Sequence, residues 1–433
     1  MTPEAPRSGP APEAPPRLFA NANFRWLLGG GLLSMLGDQF TLIALPWLVL
    51  RLTGDPLVLG LVLAVMGLPR AAFILVGGAL VDRHSPQRVL LLTKLLNALW
   101  VGLLALLVLC GALQLWMVYA LALAIGLTTA FSYPAASSIL PLSLPAPLLR
   151  AANGSLMALR QFSVLIGPLL AGGLIALLAE PGAAGVQDAR GLGLAFGFDA
   201  LSFLVSSWTL RQVRLLSRPQ TGGAPVGAAI AEALRHCWND VELRTLCLYF
   251  AAIGFFVGGP IQVALPVLAQ QQLPGGAAAL GLLLAGHGGG VLVGMALSGL
   301  RRRFGLGSLG ATVLLIDAIA GCVFLPFGHI HTAWQGVLLL APLGALAGFV
   351  QVAVYTWMQQ RVPPAMLGRA MGLFMFLFMG IAPLAAAAAG AGLALWGPQA
   401  LFTFSGVALL GLVALGLFTP LRRLRDAPAG SPA

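Results

Sequence analysis

Five residues put a charge or an imidazole well inside long apolar runs, and chemistry would sit with them: Asp38, Arg70, Asp199, His287 and Asp317. A charge at the centre of a bilayer costs about 2.5–3.5 kcal/mol on insertion scales, so such residues are kept where they move ions or protons, or where they pair. Asp38 and Arg70 fall near the middle of the runs 26–50 and 57–81. The expectation is that both face one cavity, close enough to influence each other, with Asp38 as proton acceptor or cation contact. The plainer alternative is a buried pair that only fixes helix packing. Asp199 is either a site carboxylate or a structural partner of Arg160 or Gln161. His287 is a lone imidazole that either packs or titrates near neutral pH. Gln262 and Gln351 are expected to hydrogen-bond in the C-terminal half of the cavity, or between helices.

The remaining composition says what must position these residues. Of 433 residues, 59% are hydrophobic and only 9% charged, with a mean hydropathy of +0.93. That excludes a soluble globular enzyme and a disordered chain, and a β-barrel with its polar lumen would be less apolar. Twelve apolar runs can be counted, near 26–50, 57–81, 89–111, 115–137, 154–178, 191–211, 243–268, 278–300, 308–327, 334–358, 367–392 and 396–420. At roughly 20 residues per span each can cross a bilayer, and lipid requires each to be helical. With the N-terminus inside, 21 of the 24 basic residues, Lys94 and Arg160 among them, fall in cytoplasmic segments. The positive-inside rule then puts both ends in the cytoplasm. The net charge of +11 is read as loop anchoring rather than nucleic-acid binding. Trp26, Trp116, Trp208, Trp334 and Trp396 lie near span ends, as an aromatic belt would place them.

The chain divides into a cytoplasmic tail (1–25), a six-helix bundle (26–211), a linker with an interfacial helix (212–242), a second bundle (243–420) and a second tail (421–433). The Pro-rich start has no apolar core of a signal peptide. Cys110, Cys237, Cys247 and Cys322 have no metal or disulfide spacing. The halves repeat. Ala44-Leu45-Pro46 returns as Ala264-Leu265-Pro266, Leu59-Gly60-Leu61 as Leu280-Gly281-Leu282, and Pro168 as Pro383. An even number of spans per repeat makes the repeats parallel, an arrangement suited to two bundles rocking about a site between them. In this register Asp38 aligns with Gly258, Arg70 with Val291 and Met66 with His287. Charge is therefore concentrated in the first half. The second offers the break Gly258-Gly259-Pro260 and aromatics such as Phe255, Phe256, Tyr355 and Trp357.

The loop after the second run reads Gly78-Ala-Leu-Val-Asp82-Arg83-His84-Ser85-Pro86-Gln87-Arg88. Here the chain resembles the major facilitator superfamily, whose signature is G-x-x-x-D-R-x-G-R-R-R. Gly78, Asp82, Arg83 and Arg88 match it, as a charge cluster that can latch one conformation; Ser85, Pro86 and Gln87 depart. Further pieces resemble the enterobactin-exporter and macrolide-efflux-like bacterial permeases: the NANFRWLLGG start, Gly37-Asp38, Ala44-Leu45-Pro46-Trp47, Leu52-Thr53-Gly54, Ala195 to Phe203, Glu232 to Arg235, and Pro363-Pro364 with Gly368-Arg369. Gly167, Pro168, Gly172 and Gly173 look like the superfamily's antiporter motif, with Ala171 in place of one glycine. They read as a kink and tight interface, or as an ordinary small-residue packing face. No Arg occurs in 115–137, where many proton-coupled drug exporters of the superfamily carry one.

The resemblance implies an all-α membrane protein of twelve transmembrane helices in two parallel six-helix repeats, in a bacterial inner membrane. It also implies that Asp317, in the ninth span, faces away from the cavity and packs. The expected activity is secondary active export of a small amphiphilic compound, drug-like or siderophore-like, by proton antiport. A metabolite or lysophospholipid transporter of the same fold is the alternative. Expected partners are the lipid bilayer, the small molecule and protons, with a monomer as the unit. There is no nucleotide-binding loop or catalytic cluster, so no cofactor and no enzyme activity is expected.

Overall fold

The structure, a computed structural model, describes residues 18–83, 85–179, 189–216, 234–235, 237–299, 308–362 and 364–424. Side chains are described for these except 74–83, 364–370, 372, 378 and 423. No strand occurs among the described residues. The helices are α1 (Ala22–Thr53), α2 (Pro56–Arg83), α3 (Pro86–Leu109), α4 (Leu115–Ser143), α5 (Ala146–Leu177) and α6 (Ala189–Gln212). Then come α7 (Val241–Gln271), α8 (Ala277–Ser298), α9 (Leu309–Phe327) and α10 (Ala333–Arg361).

The last helical stretch, Pro364–Leu417, has 54 residues. At 1.5 Å per residue it would be about 80 Å long, far beyond a hydrocarbon core of about 30 Å. Gly397, at φ 77° and ψ 172°, divides it. A side chain at this φ is strained, so the turn between α11 (364–396) and α12 (398–417) depends on glycine. Eleven helical stretches among the described residues are long and apolar enough to cross a membrane, and this pair forms one of them.

Ends are capped as the sequence allows. Asn21 accepts from the Phe24 N–H and opens α1; Gly54, at φ 66°, closes it. Thr332 and Gln335 form a capping box on α10. Gln87 donates to the Leu210 and Val213 carbonyls at 2.9 and 2.8 Å, which ties the start of α3 to the end of α6. The expected break at Gly258-Gly259-Pro260 is absent. Gly259 and Pro260 keep helical angles, and the chain passes through one π-turn at Pro260–Ala264. A wide turn absorbs the N–H that proline lacks without ending the helix.

The packing pattern occurs twice. α1 packs on α5 and α6, α2 on α4, and α3 on α4 and α6; later, α8 packs on α10 and the α11–α12 stretch on α7 and α9. Two crossings join the early helices to the late ones, α2 against α11 and α5 against α8. Both depend on glycine facing glycine. A Cβ on Gly60 would lie 3.1 Å from Gly390 Cα, and one on Gly172 would lie 3.1 Å from Gly281 Cα. Small residues at such crossings let backbones touch where lipid supplies no hydrophobic drive.

Of the antiporter-like residues, Gly172 makes this crossing and Gly167 admits Gln39 of α1, while nothing lies within 4 Å of a Cβ on Gly173. Pro168 lies inside a continuous α5. All five tryptophans expected at span ends are exposed. Most of the expected linker and interfacial helix, 217–233 and residue 236, lies outside the described residues.

Candidate functional site

Each of the first six helices contributes one polar residue to a single centre. They are Asp38 on α1, Arg70 on α2, Lys94 on α3, Tyr133 on α4, Arg160 on α5 and Asp199 on α6. Asp38 lies in electrostatic range of Lys94, Arg160 and Arg70, and of Asp199. It is nonetheless exposed. A carboxylate flanked by cations from three other helices, yet accessible, faces an internal cleft rather than the outer surface. Arg160 donates to the Tyr133 hydroxyl at 3.4 Å, and Arg70 lies in range of the same Tyr133.

Asp199 is the buried member, 1% exposed. Thr41 of α1 donates to Asp199 Oδ2, and Ser202 Oγ lies 3.3 Å from Oδ1. Gly37 makes this approach possible, because a Cβ there would collide with Asp199 Oδ1 and Ser202 Oγ. Gly37 thus admits Asp199 to α1, and its neighbour Asp38 puts a second carboxylate in electrostatic range. Lys94 serves both: it lies in range of Asp38 and Asp199, donates to Ser34 Oγ at 3.1 Å and stands 5.7 Å from the Phe203 ring centroid. The expected cytoplasmic anchor is thus an interior residue. The expected partners of Asp199 are also replaced: Thr41, Ser202 and Lys94 take the place of Arg160 and Gln161, and Gln161 reaches Met295 Sδ at 3.2 Å instead.

The later helices enclose a cavity of about 450 Å³. Gln262 of α7, His287 of α8 and Gln351 of α10, singled out separately in the sequence, all line it. So does Asp317 of α9, which corrects the expectation that it faces away. Its aromatic walls are Phe250, Phe324, Tyr355 and Phe374. Of the aromatics expected there, only Tyr355 takes that place; Phe256 packs edge-on against Phe404, and Trp357 is buried behind the cavity wall, in the apolar cluster that includes Phe374 and Tyr355. Gly258 and Val291, the repeat equivalents of Asp38 and Arg70, both line the cavity. Tyr355 lies in range of Tyr133 and Arg160, so the cavity and the charged centre adjoin.

Of the proposed latch, Gly78, Asp82 and Arg83 have side chains outside the described residues, and Arg88 is exposed. A clamp the sequence reading missed joins α7 to α10. Arg361 bonds Asp240 at 3.2 Å and Glu242 at 3.3 Å. Burial alone would raise the Asp240 carboxyl, but the Leu243 N–H, Arg361 and the Glu242 N–H hold it below the ordinary range. No group of three or more metal-ligating side chains occurs among the described residues.

The family model for the Major Facilitator Superfamily matches residues 27–382. The chain belongs to the major facilitator superfamily. This facilitator is 28% identical over 414 residues to the multidrug efflux pump Tap of Mycolicibacterium fortuitum, covering 90% of this chain and 93% of Tap. It is 27% identical over 396 residues to the enterobactin exporter EntS of Salmonella typhimurium, covering 90% and 91%. An auto-inhibited POT family peptide transporter superposes with a TM-score of 0.73 at 14% identity, covering 95% of this chain and 99% of that one. The last likeness speaks to fold alone. A multi-pass membrane transporter of this superfamily is what these matches show.

Proposed function

We propose that this facilitator exports a small amphiphilic compound from a bacterial cell across the inner membrane, by proton antiport and as a monomer. Twelve spans form two parallel six-helix bundles, α1–α6 and α7–α12, with both termini in the cytoplasm. The observation that carries the coupling is the six-helix centre, in which an accessible Asp38 sits beside a buried Asp199 and three cations. Ionised, it sets two carboxylates against Arg70, Lys94 and Arg160. A proton on Asp38 leaves one carboxylate against three cations, and their repulsion then favours the conformation in which water screens them. Proton uptake at the cleft thereby biases the two bundles. Asp199 holds Lys94 and α1 in place through either state.

The glycine crossings supply the pivots. Gly60 lies near the start of α2 and Gly172 near the end of α5, which in this orientation is the outer side. Trp47 of α1 also closes on Gly276 there, 3.0 Å from where a Cβ would stand. These contacts pinch the outer side, which suits a cleft loaded from within, as an exporter requires. Tap is an efflux pump and EntS an exporter, which supports the outward direction.

The test uses inside-out vesicles with an acid interior. Macrolides, organic cations and a siderophore are added singly while the pH gradient is followed. At least one compound should dissipate the gradient in wild type and fail to do so in Asp38→Asn. An Asp38→Asn variant with unchanged transport and pH profile would remove Asp38 from the mechanism.

A further inference from the structure

Within α7–α11 lies a buried carboxylate with no ionic partner among the described residues. Asp317 is 8% exposed, and its Oδ2 has no hydrogen-bond partner. The Tyr249 hydroxyl stands beside it but falls short of hydrogen-bond geometry. Among the described residues, no Lys or Arg lines the cavity. Asp199, buried to a similar degree, has two hydroxyl neighbours and Lys94. A buried ion without a partner is costly, and that cost is removed when a counter-ion arrives.

The surroundings say what kind of counter-ion fits. The cavity volume, about 450 Å³, lies in the range of small-molecule sites, roughly 300–1,000 Å³. A metal ion such as calcium would need about six to eight oxygen ligands, and here one carboxylate and two amides stand among apolar side chains. Four aromatic rings line the walls, with Phe250 and Tyr355 each 6.0 Å from Phe374 between ring centroids. Aromatic faces attract cations, most strongly when the cation is poorly hydrated. Gly258 and Val291 stand where the first half has Asp38 and Arg70, which leaves the space open. His287 adds an unpartnered Nδ1, an acceptor for an N–H on the guest.

We propose that the cavity within α7–α11 binds a lipophilic organic cation, with Asp317 as its counter-charge. As a cargo site it rests on the export reading above, and it names the substrate class of that reading.

The test is equilibrium binding to the purified full chain in detergent, with no gradient and no flux. Failure here leaves the export reading standing, and failure of the vesicle assay leaves this assignment standing. The probes are tetraphenylphosphonium and tetraphenylborate, alike in shape and opposite in charge. Wild type should prefer the cation. Asp317→Asn should weaken the cation at least tenfold without weakening the anion, and Asp317→Glu should keep the preference. Wild type that binds no cation, or binds both ions alike, overturns the assignment, as does an Asn variant that binds the cation unchanged. If the Asn variant does not fold, carbodiimide labelling of Asp317 in wild type decides: tetraphenylphosphonium should protect it and tetraphenylborate should not. Equal labelling with either ion overturns the proposal.

Discussion

A single methyl group at either glycine crossing should shift this transporter toward its outward-open state. Consider Gly281→Ala. The new Cβ would collide with the Pro168 carbonyl oxygen and lie 3.1 Å from Pro168 C and 3.3 Å from Gly172 Cα. Carbon atoms at optimal contact stand about 3.5–4.0 Å apart, so α5 and α8 must separate by about 0.5 Å or more. The obstacle is backbone, which cannot swing aside like a side chain. Overpacking of this kind costs about 1–3 kcal/mol. Only the conformation that contains the crossing bears that cost. At tenfold per 1.4 kcal/mol, the equilibrium moves by about 5- to 150-fold. Gly60→Ala at the other crossing meets Ala386 and Gly390 in the same way and should shift it in the same direction. The assay is labelling of Leu343→Cys, a cavity position in the outer half of α10, from outside intact cells by an impermeant maleimide, in a chain whose four native cysteines are serine. Both alanine variants should label faster. An unchanged rate, or opposite changes at the two crossings, would refute the idea that these contacts close the outer side.

Two further outcomes follow from the polar contacts. Asp240 is held below the ordinary carboxylate range, so its clamp with Arg361 contributes stability above about pH 3.9 and loses it as the pH falls through the lower native value. Arg361 is half exposed, which limits the contribution to below about 1 kcal/mol. Thermal unfolding should show Arg361→Gln below wild type at pH 6, with the gap closing near pH 3; a gap independent of pH contradicts the clamp. Thr41→Val deletes the donor to buried Asp199 Oδ2 without changing volume and should cost about 1.5–3 kcal/mol, the range for hydrogen bonds to charged groups. Thr41→Ser should keep most of that stability, and equal unfolding temperatures for the two variants would count against an ionised Asp199.

Asp38, Arg70 and Asp199 were legible because a charge inside an apolar run stands out against hydrocarbon. Lys94 was not. It lies eight residues past the start of α3, close enough to the end to count as a loop anchor. At 1.5 Å per residue that is already about 12 Å along the helix, and only packing against α1 and α6 shows that it points inward. Asp317 failed for a different reason. A helix that is apolar all round carries no periodic signal to say which face is interior, and α9 is such a helix. The glycine crossings were half legible: the repeat placed Gly60 and Gly281 in register, but nothing one-dimensional paired them with Gly390 and Gly172.

Duplication followed by divergence of charge links the two sites. Asp317 lies eight residues past the start of α9, as Lys94 does past the start of α3, so the third helix of each half sends one ion inward at the same level. In the first half it is a cation, and α1 and α6 supply the carboxylates that balance it. In the second half it is an anion, and the positions of Asp38 and Arg70 are filled by Gly258 and Val291, neither of which can balance anything. On the proposed reading the first half can therefore exchange a proton without a guest, because its carboxylates and its cations come from its own helices. On the same reading the second half has no counter-charge among the described cavity residues until a guest brings one. Because Arg160 lies in range of both Asp38 and Tyr355, a cation entering the second half and a proton entering the first raise the positive charge around the same guanidinium. Each should disfavour the other, and that mutual exclusion is the condition for exchange rather than co-transport.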